Sequence, residues 1–312
     1  MDISFLSSPF IWPFDVAITK MSSSDIISRV WTGILKVEFQ IDSTQIPSTN
    51  NSFFTVLNRN SYLHLLMPNI LAFFNISMDD FPIENWWFEY DGVPLKWNLP
   101  AGVLYDSSHP YTRKEDDDPT SDMWTIRMEY GDYPSAYVIP IEHIDADRPT
   151  DWLESGDFPF LKSHWMNQMK EACYILNNSS KIMMSMSKER SDFFYRSVVN
   201  NDSRVFESCF RKLLPTTVSQ IHNIPIKIHL PLANKVVRPS LNAVSSKLTL
   251  GKMLQQLIPD LFPSNMMMTI AVPISHGVIL PLDASVIHLY MLLKYVDGFL
   301  HINVHMLERG GA

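Results

Sequence analysis

The 312-residue chain has only two cysteines, Cys173 and Cys209, and no paired-cysteine spacing. That excludes a disulfide framework and a zinc ribbon, and it suits a reducing compartment. Glycine is scarce, with ten in the whole chain, and there is no phosphate-cradling glycine loop, nucleophile elbow or His-Glu-x-x-His motif. Basic residues are outnumbered, 25 Lys and Arg against 33 Asp and Glu, for a net charge of −8. Nucleic acid is thereby disfavoured as the main ligand, because binding a phosphate backbone needs a basic face. No apolar run reaches the ~20 residues of a membrane span. The opening "MDISFLSSPFIWPFD" has Asp2, two prolines and no basic start, which does not fit a signal peptide. The expectation is a cytosolic protein.

What the chain does have is a core. Hydrophobic residues make up 46% and charged residues 19%, so a packed interior can form, and the length suits two or three compact units. The C-terminal third reads most clearly. "IPIKIHL" (Ile224 to Leu230) and "NKVVRPS" (Asn234 to Ser240) have the character of a strand pair. "LTLGKMLQQLIPDLF" (Leu248 to Phe262) is a helix with Thr249 as its N-cap and Pro263 after its end. "MMMTIAV" (Met266 to Val272) and "HGVILPL" (His276 to Leu282) are strands turning at Gly277. Asp283 is placed to cap a short helix over "ASVIHLYMLLKYV", and the alternating "FLHINVHML" (Phe299 to Leu307) closes the set. Two strands, helix, two strands, short helix and strand is the order of the β-grasp of ubiquitin-like domains.

The same order occurs earlier. "GILKVEFQI" (Gly33 to Ile41) and "FFTVLN" (Phe53 to Asn58) form a strand pair, and "YLHLLMPNILAFF" (Tyr62 to Phe74) a helix bent by Pro68 or starting near it. Asn85 to Asp106 gives strand, turn at Asp91-Gly92, strand and a short helix after Pro100, and "MWTIRMEYG" with "AYVIPIEH" supplies the last strand. Gly92-Val93 and Gly277-Val278 occupy equivalent turns, which points to an internal duplication. The segments Asp42 to Ser52 and Ser107 to Asp122 are polar loops, and "RKEDDDPTSD" is a solvated loop and not a metal site. Between the two modules, Asp151 to Pro215 lacks strand patterning and is rich in helix formers. The fold class is thus α+β, two β-grasp domains flanking a helix-rich domain.

In that middle region Leu161, Trp165, Met169, Ala172 and Leu176 recur at three- and four-residue spacings and form one apolar stripe. Lys170 sits off the stripe. "SKERSDFFYRSVV", capped by Ser187, and "SRVFESCFRKLL" are the next two helices. Catalytic constellations are missing. His301, Asn303 and His305 share one face of the last strand, but histidines four apart on a strand are too distant to chelate easily. Cys173 is conceivable as a thioester cysteine, yet buried cysteine is the commoner case. The tail "ERGGA" would suit a ubiquitin-like modifier only after loss of Ala312. A lysine on a rigid helix between two domains can present its amine for amide transfer from a thioester.

Two stretches then become specific. "WFEYDGVPLKWNLPAGVLYD" (Trp87 to Asp106) and "HWMNQMKEACYILNNSSKIMMSMS" (His164 to Ser187) resemble signature blocks of the autophagy protein 5 family, and "DGFLHINV" (Asp297 to Val304) is similar too. The resemblance spans Met21 to Leu307. It implies a non-catalytic acceptor and scaffold, without cofactor or metal. The ubiquitin-like autophagy protein 12 would be joined by an isopeptide bond to Lys170, in "QMKEA". The conjugate would bind the helical part of autophagy protein 16, a coiled-coil oligomer, in an inter-domain groove. Acting like a ubiquitin ligase, it would stimulate transfer of autophagy protein 8 from autophagy protein 3 to phosphatidylethanolamine at the phagophore membrane, to which it would attach peripherally. The alternative is a modifier conjugated through its own Gly311.

The expected boundaries are an extension or mispredicted start over 1–20, the latter favoured because Met21 stands where the family starts, and an N-terminal helix over 21–30. A first ubiquitin-like domain follows over 31–147, a helix-rich domain over 148–216, a second ubiquitin-like domain over 217–308 and a tail over 309–312. Lys181, Lys188 and Arg190 are candidate contacts with anionic headgroups. Of Trp86, Trp87, Trp97 and the Met183-Met184 pair, most are expected in the core, with the rest free to line the groove. Asn178 stands where family members often have Gly, so the loop before Lys181 is expected to differ locally.

Overall fold

The computed structural model describes residues 22–41, 51–77, 80–109, 123–141, 158–217, 220–221, 223–230, 236–237 and 248–307. Residues 1–20, the loop 42–50, the acidic segment 110–122 and the tail with Gly311 lie outside these.

Helix α1 (Ser23–Thr32) starts in a capping box, Ser22 accepting from the Asp25 backbone while the Asp25 carboxylate accepts from the Ser22 backbone. Strands β1 (Ile34–Ile41) and β2 (Ser52–Asn58) follow, then a 3-10 turn over Leu63–Leu66 and α2 (Met67–Phe74). Pro68 sits in the first turn of α2, where its missing N–H costs nothing. β3 (Trp86–Tyr90), β4 (Val93–Leu95), α3 (Ala101–Ser108) and β5 (Met123–Tyr130) complete the first module. Its sheet has the order β2-β1-β5-β3-β4, with β1 and β5 parallel. Asp91 and Gly92 both have positive φ, 50° and 74°, as the tight β3–β4 turn requires.

The middle is helical: α4 (Pro159–Asn177), α5 (Lys181–Met184), α6 (Lys188–Val199) and α7 (Ser203–Phe210), the last running into a 3-10 turn over Arg211–Leu213. Ser187 caps α6 by accepting from the Arg190 backbone. The second module comprises β6 (Ile226–His229), β7 (Val236–Val237), α8 (Leu250–Leu257), β8 (Ala271–Ser275), β9 (Val278–Ile279), α9 (Val286–Leu293) and β10 (Leu300–Met306). Its strand order is β7-β6-β10-β8-β9, with β6 and β10 parallel. The two sheets have identical topology, as the repeated element order implies.

Three local expectations fail. The stretch from Ala136 forms turns and not a strand: Pro134 O accepts from both Tyr137 and Val138 N–H, and Pro140 cannot donate to a ladder. Strand β8 begins at Ala271, not Met266, and Met266 and Met267 are exposed. Ser285, not Asp283, occupies the N-cap of α9, and no side chain bonds the helix end there. Thr249 does cap α8.

The sheets differ in what covers them. Along β1, Leu35, Val37, Phe39 and Ile41 are buried while the intervening residues face outward. In the second sheet every residue of β6 and β8, and all of β10 but Met306, is buried. This sheet is covered on both faces, and the middle helices and α3 supply the extra cover.

Candidate functional site

The stripe that sequence spacing placed on one side of α4 is the buried side: Leu161, Trp165, Met169, Ala172 and Leu176 are all inaccessible. Ser163, Asn167 and Tyr174 are exposed. Lys170 is half-buried between Asn167 and Tyr174 on the outward strip. Among the described residues its amine has no hydrogen bond or ion pair. Its stem therefore lies on the protein while the nitrogen stays available.

The helix is fixed by its other face. Trp165 donates through Nε1 to Val296 O at 2.7 Å. Lys227 Nζ, on β6, donates to Gln168 Oε1 of α4 and to Asp297 Oδ2 at 2.9 Å. His301 Nε2 lies 2.8 Å from the same Asp297 oxygen, so it carries the proton, and His301 Nδ1 lies 2.9 Å from His229 Nε2. Burial alone would push the Asp297 carboxyl up, but His301 and Lys227 hold it well below the usual carboxylate range. Gly298 (φ 82°) lies against the helix: a Cβ there would come 2.9 Å from Ala172 Cβ and 3.2 Å from Met169 Sδ. At the far end, Asn177 Nδ2 donates to Leu213 O at 2.8 Å.

A second joint ties the first module to the second sheet. Arg59 donates through Nη1 and Nη2 to Asp106 Oδ1 at 2.8 and 3.0 Å, and the Gly277 N–H donates to Asp106 Oδ2 at 3.0 Å. Ser107 Oγ reaches Asn303 Oδ1 at 2.6 Å. Burial raises the Asp106 carboxyl to about 6 against the opposing pull of Arg59 and the Gly277 N–H. Asp106 and Asp297 belong to the quoted sequence blocks, yet sequence reasoning assigned them nothing. The alternating polar residues of β10 read as a solvent-facing side, and gave no sign of the joint.

The other candidates separate. Lys181 opens α5, Lys188 and Arg190 open α6, and all three are exposed. Cys173 is buried, and desolvation pushes its thiol up against weaker opposing effects of the Met183 backbone and the Asn177 side chain, which is the reverse of a thioester nucleophile. His301, Asn303 and His305 are buried in the joints, and no metal-binding cluster occurs among the described residues. Trp86, Trp97 and Met183 are core, Trp87 is half-buried, and Met184 is exposed. Asn178 ends α4 in the left-handed conformation (φ 52°) that glycine favours and asparagine tolerates.

Three family models match this chain in order. They are Autophagy protein ATG5, UblA domain, over residues 30–130; its alpha-helical bundle region over 160–216; and its UblB domain over 223–304. Autophagy protein 5 of Pichia angusta is 49% identical over 292 residues, 93% of this chain and 99% of that protein. The chain belongs to the autophagy protein 5 family. Autophagy protein 5 of Kluyveromyces lactis is 32% identical, covering 89% of this chain and 98% of its own length. The crystal structure of Kluyveromyces marxianus Atg5 superposes with a TM-score of 0.70 over 90% of this chain and 99% of that one, at 24% identity, and so shares the fold. Family membership places this autophagy protein 5 homologue in autophagy, as two ubiquitin-like domains around a helical bundle.

Proposed function

We propose that the chain is a non-catalytic acceptor whose Lys170 amine receives the ubiquitin-like autophagy protein 12. The observation that carries this reading is the contrast on α4: one face is locked by buried polar joints, while the lysine on the other is unpaired among the described residues. The amine nitrogen attacks the C-terminal glycine carbonyl of a thioester. The new C–N bond is an isopeptide, the C–S bond breaks, and the amine proton leaves with the released thiol. The rigidity of the helix holds the nucleophile.

The conjugate then binds the helix of autophagy protein 16. With autophagy protein 3 it promotes E3-like transfer of autophagy protein 8 to phosphatidylethanolamine on the phagophore membrane. Lys181, Lys188 and Arg190 supply peripheral contact with anionic headgroups, and their exposure supports this.

The test is reconstituted conjugation with autophagy protein 12 and its activating and conjugating enzymes, resolved on a reducing gel. Wild type forms a reduction-resistant band, and Lys170→Arg, which keeps the charge but lacks a usable nucleophile, forms none. Full conjugation of the Arg variant at a single site overturns the assignment and turns attention to Lys162 or Lys181.

A further inference from the structure

Helix α7 packs through Phe206 and Phe210, with Phe206 against Trp31 (ring centroids 5.1 Å apart) and against Phe194 (5.2 Å). Its opposite face borders an open, shallow surface hollow of about 480 Å³ lined by Arg204, Glu207, Ser208, Arg211 and Lys212. Glu207 is already neutralised, since Lys294 Nζ donates to both its oxygens at 3.0 and 3.1 Å. Arg204, Arg211 and Lys212 are exposed, and none has an ion pair among the described residues. Three cations thus converge without counter-charge on a chain whose net charge is −8.

Helix electrostatics accounts for only part of this. Arg211 and Lys212 sit at the C-terminal end of α7, where cations complement the helix dipole. Arg204 lies in the first turn, where a cation opposes it, and Asp202 there is occupied in capping Arg204 and Val205 N–H. The frame is rigid, because Leu213 O at the end of the turn accepts from Asn177 of α4.

The lining contains no aromatic or aliphatic side chain, and its apolar surface is the stems of the basic residues. A nucleotide would find no ring on which to stack its base, and the charged and hydroxyl groups at the stem ends favour a ligand held through its charges. We infer that the hollow binds a compact polyanion of the inositol phosphate class, with Arg204 and Arg211 taking phosphate oxygens through their guanidinium forks and Lys212 and the Ser208 hydroxyl completing the site. The source is either a soluble inositol phosphate or the headgroup of a phosphorylated inositol lipid.

The full chain is titrated calorimetrically with inositol 1,4,5-trisphosphate, inorganic phosphate and a phosphoserine peptide at about 0.1 M salt. Separately, it is floated with phosphatidylcholine vesicles with and without phosphatidylinositol 4,5-bisphosphate. The trisphosphate should bind saturably, and Arg204→Ala/Arg211→Ala should weaken it at least about tenfold with the thermal transition unchanged, as expected for two charge-assisted contacts. Lys36→Ala/Arg127→Ala, which removes equal charge from the first sheet, should leave binding as it is. Flotation that depends on Arg204 and Arg211 assigns the lipid as source, and trisphosphate binding without flotation assigns the soluble anion. The inference is overturned if the trisphosphate does not bind, if the two double variants weaken binding equally, or if inorganic phosphate or the phosphopeptide binds as tightly. Conjugation at Lys170 is read independently, so its failure and failure here are distinguishable.

Discussion

Lowering the pH from 7.5 to 5.5 will destabilise this protein by about 3 kcal/mol, and the buried histidines set that figure. His64 and His229 are buried, and His276 is partly buried against the Tyr295 ring. Burial holds His64 and His276 at about 3, and burial together with His301 and Lys227 holds His229 well below the ordinary value. Unfolding returns each to a pKa near ~6.5, so the unfolded chain takes up protons that the fold refuses, and stability falls as pH drops through that value. At pH 5.5 each histidine that stays neutral in the fold costs between about 1 and 2 kcal/mol and at pH 7.5 almost nothing, so the three together cost roughly 4 kcal/mol. Asp106 works in the opposite direction. Its folded pKa of about 6 lies above the unfolded one, so acidification over this window returns roughly 1 kcal/mol. Asp297, held low, contributes stability that is lost only below the ordinary carboxylate range, outside the window. Urea titrations followed by tryptophan fluorescence at the two pH values measure the difference. Equal or greater stability at pH 5.5 refutes the reasoning. His64→Leu should shrink the pH effect by roughly 1 kcal/mol, since burial is what keeps His64 neutral and neither of its ring nitrogens has a partner among the described residues.

Lys227→Met leaves Asp297 buried with one cation fewer and should cost roughly 3–5 kcal/mol in a denaturation midpoint. Asn178→Ala puts a Cβ residue without a compensating side-chain amide at φ 52° and should cost about 1 kcal/mol by the same measurement, while Asn178→Gly should not destabilise. Gly298→Ala combines an unfavourable φ of 82° with a Cβ 2.9 Å from Ala172, and a loss of at least about 2 kcal/mol is expected. Adding Ala172→Gly to that variant should relieve the contact, so that the double variant loses less than the sum of its parts by thermal denaturation.

Sequence patterning reached the order of elements in both β-grasp modules and the buried stripe of α4, because hydrophobic period and turn residues mark these locally. It failed where local pattern and tertiary setting diverge. "FLHINVHML" alternates like a half-exposed strand, yet His301, Asn303 and His305 are buried, since their polar side faces other domains and not water. Ala136 to Ile141 has strand composition but is bracketed by Pro134 and Pro140. "MMMTIAV" is apolar enough for a strand throughout, but its first two methionines stay in solvent. At the candidate site the sequence supplied the lysine through resemblance, and Lys170 does lie on the outward strip of its helix. The acids that fix that helix and its neighbours could not be read, because a buried ion pair between residues 70 positions apart, such as Lys227–Asp297, leaves no periodic trace.

The second sheet explains why a lysine on α4 can be held so firmly. A sheet covered on both faces buries polar groups, and each one satisfied across a domain boundary ties that domain down. Asp297 collects Lys227 and His301, and Lys227 in turn collects Gln168, two residues before Lys170. On the same β10, Asn303 meets Ser107, while Gly277 at the β8–β9 turn meets Asp106. Swapping these groups for apolar ones would preserve burial but lose direction, because dispersion contacts tolerate a helix sliding along its axis and hydrogen bonds do not. The first sheet shows the contrast. Its outer face carries Phe54 and Val56 exposed among the described residues. Two copies of one topology thus differ in use: the polar groups of the second fasten α3 and α4, while among the described residues the first keeps exposed apolar side chains on its outer face.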